Sequence, residues 1–280
     1  MKVYAFKIPK KPGENIIVQY DKGRAFYDKL HQHEEIQLSL IVSGQGKLIA
    51  GGNVHSYSDG DFFVIGSGLP HLFKSTVNGS DSFMISIFFT KNSFGNTFFE
   101  QREMTGLQNF FKHSESGFKL RRPEASIPKT MESFEALDDF SRFMAFLQLL
   151  KTLSDLPKVK LSNATSPKEM SDDHGERLRS VFDFVMQHFN QKISLEEVAE
   201  LVHMTPNAFC RFFKQRTNKT FFKFLIEVRV EHASQLLVQS KDLSILEVAN
   251  RSGFHSISNF NRKFKEIKGV NPSRFIQSLS

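Results

Sequence analysis

The sequence predicts a two-domain α+β protein: an N-terminal β-barrel or sandwich with accessory helices, then an all-α C-terminal domain. Three observations predict it. Over the first ninety residues, short β-branched or aromatic runs alternate with Gly, Asn or Asp. Residues 97–113 and 131–154 then recur apolar at three- and four-residue spacing, the signature of amphipathic helices. The last hundred residues are helical throughout and repeat themselves once. At 280 residues, with 40% apolar and 24% charged, the chain has the length for two ordinary domains and the composition of a globular protein. Its 31 phenylalanines supply aromatic core for both.

Segments 16–20 (IIVQY), 36–44 (IQLSLIVSG), 46–52 (GKLIAGG), 61–66 (DFFVIG) and 82–89 (SFMISIFF) read as strands. Such close spacing suits a barrel or sandwich. The helix expected over 131–154 carries an apolar stripe through Phe134, Leu137, Phe140, Phe143, Met144, Leu147, Leu150 and Leu153. Residues 157–175, with proline, small polar residues and mixed charge, read as a linker. The expected boundaries are therefore 1–156 for the first domain and 176–280 for the second.

Composition narrows the function classes. A single cysteine, Cys210, precludes an internal disulfide and suits a reducing compartment. No apolar run has the length of a signal peptide or a membrane span, so a cytoplasmic protein with no membrane partner is expected. Charge is uneven: residues 176–280 carry 16 Lys+Arg against 10 Asp+Glu, whereas residues 1–175 carry 21 against 20. A basic C-terminal domain suits a polyanion such as DNA, because neutralised phosphates release counterions.

The repeat sharpens that reading. Ser194, Glu197, Val198 and Ala199 recur fifty residues on as Ser244, Glu247, Val248 and Ala249; Phe209, Arg211, Phe213, Lys214 and Phe224 recur fifty-one on as Phe260, Arg262, Phe264, Lys265 and Phe275. The one-residue change of offset falls where a turn would absorb it. Each copy has helix-turn-helix logic. Ser194 with Glu197 makes a capping box, and Thr205 followed by Pro206 opens a second helix. In the second copy Gly253 permits the positive φ of a sharp turn, and Ser256 or Ser258 can cap the helix that follows. The phenylalanines face inward. Asn207, Cys210, Arg211 and Lys214 are left outward, as are Ile257, Ser258, Asn261, Arg262 and Lys265. An outward Arg and Asn near a helix start can read guanine and adenine in the major groove.

These segments, above all SILEVANRSGFHSISNFNRKFKEIKGVNPSRF, resemble the paired helix-turn-helix domain of AraC-type regulators over about residues 177–275. The resemblance implies two recognition helices joined by a long helix, here residues 221–237, and entering successive major grooves of double-stranded DNA. Carried over by position, base contacts fall to Asn207, Cys210 and Arg211 in the first unit and to Ile257, Ser258, Asn261 and Arg262 in the second. Charge suggests Lys214, Lys223, Arg229, Lys265 and Arg274 at phosphates. Where the family usually has glycine the chain has Asn218, the next best residue for a left-handed turn.

The front half resembles the cupin sensor domain of the same family through His31-Gln32-His33, Gly44-Gln45-Gly46 and Gly60-Asp61 leading to Pro70-His71. In metal-binding cupins, histidines at such positions converge with a glutamate inside the barrel. Here Gln37 stands where the glutamate would, and a neutral amide is a poor ligand for a divalent cation. No metal and no cofactor are expected. Instead His31, His33, Gln37 and His71, with Arg24 and Glu35, are expected to anchor a small-molecule effector in an apolar pocket; the family suggests a sugar or related metabolite. It also suggests a homodimer formed through the accessory helices and, as the commoner output, activation through RNA polymerase. The expected function is thus an effector-modulated transcriptional regulator without enzymatic activity. Two alternatives stay open: a metal-dependent cupin enzyme or metal sensor fused to a DNA-binding module, and a barrel serving only as a dimerisation scaffold.

Overall fold

A computed structural model of the protein describes residues 4–5, 8–11, 13–76, 81–121, 123–162, 172–240 and 242–277. The chain divides into two compact units, built mainly from residues 1–172 and 173–280. The strands of the first unit are, in chain order, β1 (Tyr4–Ala5), β2 (Ile17–Gly23), β3 (His31–Gln32), β4 (Ile36–Ser43), β5 (Gly46–Ala50) and β6 (Asn53–Tyr57). They continue with β7 (Phe62–Ile65), β8 (His71–Ser75), β9 (Ser82–Phe89), β10 (Phe118–Leu120) and β11 (Lys158–Lys160). Two sheets result, one ordered β1-β3-β8-β5-β6 and the other β11-β10-β7-β4-β9-β2.

Side chains alternate across a strand, so the six-stranded sheet presents two different faces. Leu38, Leu40, Phe62, Val64, Ile85 and Ile87 point one way, into a core closed by the helices α1 (Gln108–Ser114), α2 (Ser126–Ser133) and α3 (Asp139–Asp155). Ile41, Phe63, Ile65 and Met84 point the other way, between the sheets, and meet Leu48, Tyr57 and Phe73. Gly46 has no room for a side chain: a Cβ there would lie 2.1 Å from the Lys74 carbonyl oxygen.

The structure departs from the sequence reading in three places. The segment read as a helix over 97–113 is mostly 3-10 turns, Phe98–Glu100 and Arg102–Leu107, before α1. The helix read as continuous over 131–154 is broken at residues 134–138. There the Asp138 carboxylate accepts from the Phe140 and Ser141 N–H groups and restarts the helix as α3, while Arg142 donates to the freed Phe134 and Leu137 carbonyls. Local capping overrides a continuous apolar stripe. Lys158–Lys160, placed in the linker by composition, pairs with β10 as an edge strand. Residues 163–171 of the expected linker lie outside the described residues.

The second unit is helical, with α4 (Asp172–His188), α5 (Leu195–Leu201), α6 (Pro206–Thr217), α7 (Phe221–Gln239), α8 (Ile245–Arg251), α9 (Ile257–Lys268) and α10 (Pro272–Gln277). The first half of α7 buries Phe221, Phe224, Leu225 and Val228. Its second half gives Val230, Ala233 and Leu237 to a core with Val248, Phe254, Phe260 and Phe264. One helix therefore serves both repeats.

Candidate DNA interface and barrel site

Both copies carry the expected punctuation. Ser194 and Ser244 each complete a capping box, with Glu197 and Glu247, at the start of α5 and α8. Thr205 and Ser256 cap α6 and α9 through the N–H groups of Ala208 and Asn259. Between the paired helices the chain turns at His203 (φ 55°) and at Gly253 (φ 82°), fifty residues apart. A histidine tolerates the left-handed region, though at a cost. Gly253 cannot be replaced, because a Cβ would also lie 2.7 Å from the Phe189 carbonyl oxygen. The extra residue that shifts the repeat offset is His255, between this turn and the Ser256 cap. Asn218 ends α6 in the left-handed conformation, φ 56°, matching Gly269 at the end of α9.

Packing of Phe209, Phe213, Phe260 and Phe264 inward turns the opposite faces of α6 and α9 to solvent. Asn207, Cys210 and Arg211 are exposed on α6; Ile257, Ser258, Asn261 and Arg262 are exposed on α9. By repeat register Cys210 occupies the place of Asn261, and Asn207 that of Ser258. The Arg262 guanidinium donates to Asn259 Oδ1 at 2.9 Å and lies 3.9 Å from Glu266. Lys214 and Lys265 are exposed at matching places, as are Lys223 and Arg274, which follow the caps Thr220 and Asn271 by three residues. Arg229 is a correction to the phosphate set: its guanidinium donates to the Phe189 and Gln191 carbonyls, both at 2.7 Å, and ties down the chain leaving α4.

In the first unit, β3 and β8 set His31 opposite His71, and His33 follows directly. All three imidazoles are buried, and their ligand atoms lie within 4.8 Å of one another. Each Nδ1 sits against a backbone carbonyl: His31 on Lys29 at 2.8 Å, His33 on Glu35 at 2.9 Å and His71 on Leu69 at 2.9 Å. A carbonyl only accepts, so each Nδ1 carries the proton and each Nε2 a lone pair. Gln37 Oε1 lies 3.2 Å from His33 Nε2 and 3.1 Å from His71 Nε2, while its amide nitrogen faces Ser39 and Ser86 at 2.8 and 3.3 Å. The lone pairs of the amide oxygen and the imidazoles thus face one another. Burial drives the His31 pKa down to about 4. It also lowers that of His33 and, reinforced by its two histidine neighbours, takes His71 well below the usual range.

His31, Gln37 and His71 line a cavity of about 50 Å³ with Phe26, Tyr27, Phe73, Met84 and Phe88. His33 stands behind it. Arg24 is exposed and does not line it, and Glu35 reaches only as far as His33 Nδ1, at 3.7 Å. Two polar residues missed in the sequence do line it: Gln19 and Asp21. They alternate along β2 on the face where Gln19 registers with Ser86 and Asp21 with Met84. Polar residues two apart on a strand mark a polar inner face, and that pattern was available in the sequence.

Two tandem helix-turn-helix units, each presenting a basic second helix to solvent, define a DNA-binding protein. The profile of a family described as Helix-turn-helix domain matches residues 198–278, and that of the Cupin domain matches residues 16–88. The chain thus carries an AraC-type helix-turn-helix domain behind a cupin domain, and its relatives are HTH-type transcriptional regulators. It is 24% identical over 252 residues to the Uncharacterized HTH-type transcriptional regulator YdeC of Bacillus subtilis, covering 88% of this chain and 85% of that one. It is 21% identical over 260 residues to the Msm operon regulatory protein of Streptococcus mutans, covering 92% and 89%. Among solved structures, the C-terminal domain of AraT, a response regulator from Geobacillus stearothermophilus, is 32% identical over 36% of this chain and 84% of that one, with a TM-score of 0.35. The protein is thus a transcriptional regulator that binds double-stranded DNA. Among the described residues no helix is long and apolar enough to cross a membrane.

Proposed function

We propose that this regulator reads two successive major grooves with α6 and α9, that a small molecule held at the barrel's histidine wall modulates it, and that it activates transcription through RNA polymerase. The observation that carries the effector reading is the placing of buried His31, His71 and Gln37 along one wall of an aromatic cavity. Such convergent polar groups orient a ligand that apolar walls enclose. The size of the cavity bears on the ligand. About 50 Å³ is little more than the ~30 Å³ share of one water, against roughly 300–1,000 Å³ for pockets that enclose whole ligands. A sugar would need the walls to move, so the effector engages this site by a small head group.

A thermal-shift series on the full-length protein, with and without chelator, tests the proposal. A true effector at a hundredfold its dissociation constant adds about 2.7 kcal/mol and changes operator affinity. Stabilisation with no change in operator binding removes the regulatory role. The readout on the DNA side is tested separately. Arg262→Ala is expected to weaken operator binding by about 1–3 kcal/mol and to relax preference at one base position. Equal losses on operator and random DNA would move Arg262 to the phosphate contacts.

A second reading is favoured by the facing lone pairs. Three imidazoles with anchored Nδ1 atoms and an amide oxygen suit Zn²⁺, Fe²⁺ or Ni²⁺, and burial keeps the imidazoles unprotonated for the purpose. His31, His33 and His71, with Gln37, would hold the ion, which when bound would supply a Lewis acid. Chelator sensitivity in the same series separates this reading from the first.

Dimerisation is part of the proposal. Phe140 and Met144, four residues apart on α3, are 71% and 51% exposed, the two residues of the predicted stripe that lie open to solvent. We expect Phe140→Asp to convert a dimer to a monomer in sedimentation analysis while leaving the fold intact. A wild-type protein that is monomeric at micromolar concentration would end this part of the proposal.

A further inference from the structure

Among the described residues Asp21 has no counter-ion. Its carboxylate is half-buried on the cavity wall, and its polar partner is the Gln19 amide, which donates to Oδ1 at 2.7 Å. Among the described residues no lysine, arginine or histidine forms an ion pair with it. Removing a carboxylate from water without a cation is costly, and burial pushes the Asp21 carboxyl above its usual range. The rest of the wall has the matching character. Among the described residues no lysine or arginine lines the cavity. One Gln19 amide hydrogen is taken by Asp21, and those of Gln37 by Ser39 and Ser86. His31 and His71, both neutral, line the same space. Phe26, Phe73 and Phe88 offer ring faces and edges around the same space.

A cavity walled by a carboxylate, neutral imidazoles and aromatic rings selects a ligand that donates hydrogen bonds and carries positive charge. It disfavours carboxylates and phosphates, which would meet like charge at Asp21. We infer that the barrel cavity takes the ammonium head of a small organic amine, with Asp21 as its counter-ion. This rests on the barrel being the effector site and goes further by fixing the chemical class of the ligand. An ammonium group is close to water in size, so it fits a cavity of about 50 Å³ while the remainder of the amine extends toward the mouth.

The test uses full-length protein and ethylammonium chloride, with ethanol and sodium propionate as neutral and anionic counterparts at matched ionic strength. All four tyrosines lie within the first 57 residues and tryptophan is absent, so tyrosine emission on heating reports the barrel alone. Ethylammonium is expected to raise that transition, whereas ethanol and propionate leave it in place. Asp21→Asn, nearly isosteric, is expected to weaken ethylammonium binding in calorimetry by about ten- to a hundredfold, the loss of one charge-assisted contact. Should that variant not fold, the Met84 methyl resonance of the wild-type protein, labelled at methionine, gives the answer: ethylammonium must shift it.

An equal response to ethanol, or undiminished binding by Asp21→Asn, overturns the cationic head while leaving the barrel as an effector site. A Met84 resonance that stays in place also overturns it, because the amine then binds elsewhere. A shift seen only with a chelatable metal ion replaces the amine by the metal reading. Silence with every probe removes the amine and the effector site together.

Discussion

Acidification from pH 7 to pH 4 is expected to lower the melting temperature of the barrel steeply. His31, His33 and His71 all have folded pKa values below their unfolded ones. Between about pH 6.5 and the folded values, the unfolded chain therefore binds protons that the folded barrel refuses, and stability falls with pH throughout that window. For His31, depressed from 6.5 to about 4, the loss is about 3 kcal/mol at ~1.4 kcal/mol per pH unit. Asp21 opposes the trend. Its raised pKa means that the folded state takes up the proton more readily, so its contribution improves as pH falls through the carboxylate range. The histidines outnumber it and titrate first. Tyrosine emission followed during heating at half-unit pH steps measures the slope. A transition that stays put between pH 7 and pH 5 contradicts the burial of neutral imidazoles, and His71→Gln is expected to flatten the dependence.

Phe264→Ala is expected to destabilise the second helix-turn-helix unit by about 3–5 kcal/mol, the usual cost of removing a buried phenylalanine. The ring is fully buried between Phe260 and Phe275, with centroids at 5.5 and 5.4 Å. A small helical core has few ways of closing that cavity. Operator affinity should collapse, because α9 is held in place by this ring and by Phe260. Circular dichroism at 222 nm then shows an early helical transition, and the tyrosine signal distinguishes it from general unfolding. Phe213→Ala makes the parallel experiment in the first unit, where Phe213 packs on Phe182 and Phe224 at 6.3 and 5.6 Å. An unaltered melting curve and unaltered DNA binding for Phe264→Ala would show that the second unit contributes little to either.

The DNA-binding half was far more legible in the sequence than the barrel, for physical reasons. Helix caps, inward phenylalanines and left-handed C-caps act over four residues. Ser194, Thr205, Asn218 and Ser244 could therefore be placed from neighbours alone, and duplication provided a second copy against which to check each. The cavity is assembled from strands far apart in the chain. Its histidines were visible as a motif and Gln19 with Asp21 as a polar alternation, but only the pairing of β2 with β9 brings the two sets to one wall. Arg229 shows the opposite limit. A basic residue on a helix looks the same in sequence whether it meets phosphate or backbone carbonyls, and only the packing of residues 189–191 decided between them.

That arginine also bears on how the protein measures DNA. It fixes α7 to the chain leaving α4, and Gly253, at the turn of the second repeat, is pressed against the same residues. A rod of 19 residues, about 28 Å long, is thus clamped near its middle while each end is built into one of the two cores. The distance and the rotation between α6 and α9 are set by a solid part rather than a tether. Such a part works as a caliper with a locked jaw. If α6 and α9 read successive grooves as proposed, a promoter that gains or loses a few base pairs between the two patches turns one patch to the far side of the duplex, and the protein has no slack to follow it. Drift of regulated sites must then proceed by substitution within each patch, with the interval between them held constant.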